Sequence, residues 1–125
     1  MSDALLLIAH GSRQEEANAD LLHVAAELRR TGDYVAVIAS FLELAYPHID
    51  EGAASCVAAG AKRVVLLPYF LSAGIHVRRD LTAARDRLAA RFVDVQFHLA
   101  QPLGRHPLLM RIVSERARQA LEGQC

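Results

Sequence analysis

The sequence predicts an α/β fold, a single small three-layer sandwich on a four-stranded parallel sheet. Three observations carry that reading. Four short apolar runs recur along the 125 residues, and stretches of helical periodicity separate them. The first three runs are continuous rather than alternating, as strands buried on both faces are. The length suits one domain, residues 1–125, with bulk for a single core.

The first strand is ALLLIA (4–9), and Ala17, Leu21, Val24, Ala25 and Leu28 after it recur at helical spacing. Thr31-Gly32 stops that helix. YVAVIAS (34–40) is the second strand, followed by a helix marked by Ile49, Ala53 and Val57 and stopped by Gly60. RVVLLPYF (63–70) is the third, with Leu81, Ala84, Leu88 and Phe92 on its helix. VDVQFHLA (93–100) is the fourth, and Leu109, Ile112, Val113, Ala117, Ala120 and Leu121 mark the last helix. Right-handed crossovers then place helices on both faces of the sheet. No linker, low-complexity segment or internal repeat interrupts the alternation.

Composition narrows the function. Hydrophobic residues make up 53% and charged residues 22%, a balance that excludes a disordered chain. No apolar run approaches the roughly 18 residues of a membrane span. Met-Ser-Asp lacks the basic start of a secretory signal, so the cytoplasm is the expected compartment. Net charge is zero, which gives no global field for nucleic acid, yet residues 1–62 carry 4 basic and 9 acidic side chains and residues 63–125 carry 10 and 5. That asymmetry suits a polyanionic small molecule and equally suits solvated helix faces. Cys56 reads as a small core residue and Cys125 as a terminal one, with no CxxC between them. A GxSxG elbow, a Walker A loop and GxGxxG are absent, and the phosphate-binding Arg-His-Gly of histidine phosphatases is replaced by Ala-His-Gly.

An open parallel sheet binds ligands at the carboxyl ends of its strands. The loops there are HGSR (10–13), FLELAYP (41–47), LSAGIHVRRD (71–80) and QPLGRHP (101–107). His10 follows the first strand and His76 the third, so both imidazoles rise from one edge. With Glu43 from the second loop they make a borderline donor set suited to Co, Ni, Fe or Zn. An open set of two or three ligands fits a metal in transit better than a closed structural site. Each histidine alone also reads as a loop or cap residue. Gly74 would let main chain approach a flat ligand, or is an ordinary turn glycine. Arg13, Arg78 and Arg79 could meet carboxylates, although each singly fits a solvated helix start. Tyr46, Tyr69, Phe70 and Leu71 add apolar surface beside the loops or belong to the core. His106 stays a weaker binding candidate. His23 and His48 read as surface or boundary residues, and His98 as a packed one.

AHGSR after the first strand, FLELAYPHI after the second and LLPYFLSAGIHVRRDL after the third together resemble the short CbiX-type class II chelatases. These are sirohydrochlorin cobalto-, nickelo- and ferrochelatases. PLG-HP before the last helix is similar too, and the likeness spans nearly the whole chain. The resemblance implies a chelatase-like fold and insertion of Co²⁺, Ni²⁺ or Fe²⁺ into a sirohydrochlorin-type tetrapyrrole without ATP. The metal would be substrate, with no tightly bound cofactor. His10 and His76 would hold it, His10 also accepting a proton and Glu43 assisting. Tyr46 and the stretch Leu71, Ser72, Ala73, Gly74 and Ile75 match substrate-contacting positions, and some archaeal members carry glutamate where Tyr46 stands. The short form would pair as a homodimer, with neither nucleic acid nor membrane as partner. The competing reading is a tetrapyrrole or metal carrier that binds without accelerating insertion.

Overall fold

A computed structural model describes residues 2–123; Cys125 lies outside them. The elements alternate as β1 (Asp3–Ala9), α1 (Glu15–Arg30), β2 (Ala36–Phe41), α2 (Ile49–Ala58), β3 (Arg63–Pro68), α3 (Ile75–Arg91), β4 (Gln96–Leu99) and α4 (Pro107–Leu121). The strands form one sheet in the order β2-β1-β3-β4, every neighbouring pair parallel. β1 is inner because its aliphatic run has no polar side. Ala4, Leu6 and Ile8 pack under α2 and α3, whereas Leu5 and Leu7 pack under α1. With β1 and β3 at its centre, the sheet brings the loops after them side by side at the carboxyl edge.

Local chemistry sets the helices. α1 begins with Glu15 and Glu16 and ends with Arg29 and Arg30, charges that complement the helix dipole. The Thr31 hydroxyl donates to the Leu28 carbonyl at 2.7 Å, and Gly32 then turns the chain away at φ +74°. At the start of α2, Glu51 accepts from the His48 backbone N–H at 3.2 Å. Gly52 lets α2 settle onto the sheet, since a Cβ there would stand 2.7 Å from Leu6 Cδ1. Cys56 is buried, and burial pushes its thiol up to about 12, which leaves it unreactive.

The parallel sheet with helices on both faces matches the sequence reading, and the differences lie toward the end of the chain. β4 is four residues rather than the eight of 93–100. The stripe on α4 forms as expected, but no α4 residue is buried and the helix has no extensive packing on any strand. One face is therefore covered by α2 and α3, and the other by α1 alone, over β1 and β2. His98, expected to be packed, is exposed on that less covered face, where its Nε2 pairs with Gln96 at 3.1 Å.

Two outcomes follow for stability. Leu6 is fully buried between β2, β3 and α2, so Leu6→Ala should cost about 2–5 kcal/mol in a urea unfolding curve. The Arg87 guanidinium grips Asp50 at 2.7 and 3.2 Å, joining α3 to α2, and its hydrogen bonds hold the Asp50 carboxyl below its ordinary range. This contribution is present above the unfolded carboxyl's range and is lost as pH falls through the depressed folded value. Both side chains are substantially exposed, so Asp50→Asn should cost at most about 1 kcal/mol at neutral pH and less in acid. Unfolding curves at the two pH values measure that narrowing.

Candidate functional site

Backbone bonds carry the sheet beyond its strands. The N–H of Leu42 donates to the Ala9 carbonyl at 2.9 Å and that of Glu43 to the His10 carbonyl at 3.0 Å. Gly11 sits at φ +95°, so close to the Glu43 carbonyl that a Cβ there would collide with its oxygen. On the far side, Leu103 N–H donates to the Phe70 carbonyl at 3.0 Å and Gly104 abuts the Leu71 carbonyl in the same manner. Neighbouring loops are thus stitched in two pairs, and each stitch has a glycine at its tightest point.

These stitches fix His10. Its imidazole is exposed and stacks on Phe70, ring centroids 4.5 Å apart with 27° between the planes. The following loop is braced by Asn18, whose Oδ1 accepts from Ser12 N–H at 3.0 Å while its Nδ2 donates to the Ser12 carbonyl at 2.8 Å. His76 is also exposed, on the first turn of α3, so both histidines stand at the same edge after adjacent strands. Phe70 joins them structurally: its ring supports His10 and its chain runs through residues 71–74 to α3.

Glu43 meets the first loop through its backbone. With His10 it lines a cleft of about 600 Å³ that reaches His48, Glu51, Asp80 and the Asp50–Arg87 pair. Among the described residues, no three His, Cys, Asp or Glu side chains converge into a set that could hold a metal ion. Glu43 is therefore not gathered with the two histidines into a ready-made ligand trio. A cation here would meet an open site and complete its shell with other donors.

The rim is apolar. Tyr46 is 72% exposed, Leu71 63% and Ile75 61%, with Leu44 beside them in the second loop. Large exposed apolar side chains on neighbouring loops make this edge a candidate ligand face. Ser72 and Gly74 are exposed and Ala73 is half-buried. Arg78 spends its Nε–H on the Ala73 carbonyl at 3.1 Å, bracing the loop as well as bordering it, and Arg13 is exposed. α3 starts at Gly74 with no side-chain cap and no acid in its first turn, whereas α2 starts with Asp50 and Glu51. That difference leaves the amide end of α3 available to an anion. His106 caps α4 through its Nδ1, which accepts from Leu108 N–H at 3.1 Å.

Sequence reasoning passed over Gly11, Asn18 and Gly104 and gave Phe70 no specific role. A glycine directly after the edge histidine was a usable signal for Gly11. Nothing local announces Asn18, which acts six residues from its partner, or Gly104, whose contact is with another loop.

The fold and this edge define a parallel α/β protein with an open face that bears two imidazoles at the carboxyl ends of its strands. The CbiX family profile matches residues 4–120, and the chain belongs to that family. A sirohydrochlorin cobaltochelatase of Priestia megaterium is 36% identical over 97% of this chain and 39% of its own length. A chloroplastic sirohydrochlorin ferrochelatase of Arabidopsis thaliana is 33% identical over 96% of this chain and 53% of its own. The chain thus spans about half the length of these curated relatives or less. The crystal structure of a putative cobalamin biosynthesis CbiX protein from Marinobacter aquaeolei superposes with a TM-score of 0.83 at 28% identity, covering 96% of this chain and 98% of the other.

Gly11→Ala tests the first stitch. It should cost more than about 1 kcal/mol, because the substitution is strained in φ and blocked by the Glu43 carbonyl. A thermal melt matching wild type would show that the two loops are not held as described.

Proposed function

We propose that the chain inserts a divalent metal into a sirohydrochlorin-type tetrapyrrole without ATP, acting in the cytoplasm as a pair of identical copies. Co²⁺ is the cation we place first, with Ni²⁺ and Fe²⁺ as the others the same donors would accept. The observation that carries this reading is the coincidence of two edge imidazoles with a family match over residues 4–120. Curated relatives named for cobalt and for iron support the reaction class and leave the metal open.

The chemistry asks for three things. A free macrocycle loses its inner pyrrole N–H protons as the cation enters, so a neutral base must stand near a weakly held metal. Imidazole nitrogens at His10 and His76 hold a borderline cation without the affinity of thiolates, which would retard its release. Of the two protons released, His10 in this proposal takes one once the metal has moved on, Glu43 in the adjoining cleft passing it to solvent, and the other leaves directly to water. A flat ring rests on Tyr46, Leu71 and Ile75, while its peripheral carboxylates meet the amide end of α3 and the guanidinium groups of Arg13 and Arg78. Phe70 keeps the His10 ring from turning away.

The test is the absorbance change of sirohydrochlorin with Co²⁺, Ni²⁺ or Fe²⁺ under anaerobic conditions. Wild type should accelerate insertion, and His10→Ala and His76→Ala should each slow it by about 100-fold or more with the circular dichroism unchanged. His23→Ala, on the outer side of α1, should leave the rate alone. Binding without acceleration by wild type would establish a carrier and overturn the enzyme reading.

A further inference from the structure

We infer that Asn18 is a positioning residue for Arg13: through the backbone of Ser12 it aims that guanidinium at a peripheral carboxylate of the macrocycle. This rests on the reading above, in which the chain takes a polycarboxylate tetrapyrrole, and gives the first loop of that site a second anchor. Asn18 stands in the first turn of α1, and helical side chains lean toward the N-terminus, which carries its amide back over the loop before the helix. There its Oδ1 accepts from Ser12 N–H at 3.0 Å and its Nδ2 donates to the Ser12 carbonyl at 2.8 Å. A carboxamide carries an acceptor and a donor on one plane, so it can pair with both backbone groups of a single residue. Asparagine is a poor helix former, so helix propensity gives no reason for it at this position.

Hydrogen bonds fall on both peptide units that flank Arg13. The unit before it contains the Ser12 carbonyl that Asn18 holds. The unit after it contains the Gln14 N–H, which donates to Ser12 Oγ at 3.1 Å. Each peptide unit is a rigid plane, so pinning both sets φ and ψ of Arg13 and the direction in which its Cβ leaves the chain. Arg13 is exposed, so this backbone rather than packing decides where its guanidinium reaches.

His10 is anchored elsewhere. Its carbonyl takes the Glu43 N–H, its ring stacks on Phe70, and Gly11 turns the chain at φ +95° before Ser12 begins. The loop therefore has two halves: the second loop and Phe70 fix the imidazole, and α1 fixes the guanidinium. A guanidinium already in place loses less freedom when it meets a carboxylate, so the anchor bears on capture of the ring. Loss of Asn18 weakens that capture and spares the metal step.

Steady-state insertion of Co²⁺ into sirohydrochlorin by the full chain tests this, together with a metal-free absorbance titration of sirohydrochlorin for its dissociation constant. Asn18→Ala removes both bonds without adding charge. Asn18→Asp keeps the shape and loses the donor, and an added acid at the start of α1 suits the helix dipole. Each should raise KM and the dissociation constant about 5-fold or more with kcat within about twofold, and Arg13→Ala should raise them about 10-fold or more. The double variant of Asn18→Ala and Arg13→Ala should be no worse than Arg13→Ala by more than about twofold, because Asn18 acts through Arg13. Ala19→Asp, exposed beside Asn18, adds the charge without touching the bonds and should change neither constant. Circular dichroism checks folding, and Asn18→Asp takes the place of Asn18→Ala in the cycle if the alanine variant does not fold. A fall in kcat at unchanged KM, additive effects in the double variant, or an indifferent Arg13→Ala would overturn the assignment. Unchanged constants in both Asn18 variants, with wild type inserting the metal, would overturn it and leave the proposed function standing. A wild type that neither binds nor metallates sirohydrochlorin would overturn the function and the inference with it.

Discussion

Gly11 against the carbonyl of Glu43 is the contact on which the functional edge depends. It permits the β1–β2 ladder to continue through Ala9–Leu42 and His10–Glu43 after both strands have ended. A side chain at position 11 would push the second loop outward and break those bonds, freeing the backbone that carries His10. The imidazole is further held by stacking on Phe70, from the loop after β3, the strand on the other side of β1. One exposed ring is therefore fixed by both neighbours of the central strand. Such preorganisation is what a site on a loop needs if its geometry is to match that of a site on a strand.

The order of elements was legible because this chain keeps its signals local. Continuous aliphatic runs announce β1 and β3, Thr31-Gly32 announces the end of α1, and the apolar stripes announce the helices. The edge histidines were legible for the same reason, since each follows a strand directly or by a short loop. What the sequence could not show is how the loops meet. Asn18 grips Ser12, Gly104 presses on Leu71, and Glu43 turns its backbone rather than its carboxylate to the first loop. These are contacts between segments with no sequence rule connecting them. α4 is the instructive failure: periodicity correctly finds an apolar face but is silent about which surface that face covers. His98 was misread along with it, because its burial would require the cover that α4 does not give.

The edge joins an apolar rim to an acidic cleft. Tyr46, Leu71 and Ile75 offer apolar area, whereas Glu43, Glu51 and Asp80 border the space behind His10. Asp50 in the same wall is neutralised by Arg87, so its charge serves the α2–α3 junction. In the proposed reaction this division lets a macrocycle approach one side of His10 while protons leave on the other. An incompletely furnished metal site suits that order of events, because a cation held by few protein donors can still be surrendered to a ring.

The claim at the centre of this account is that His10 and His76 together take the cation. X-ray absorption at the cobalt edge, on Co²⁺-loaded protein without tetrapyrrole, tests it most directly. The account predicts multiple-scattering features of two imidazoles per cobalt in wild type and of one in either single alanine variant. Cobalt bound with no imidazole in wild type, or with two in the His10→Ala protein, would contradict it.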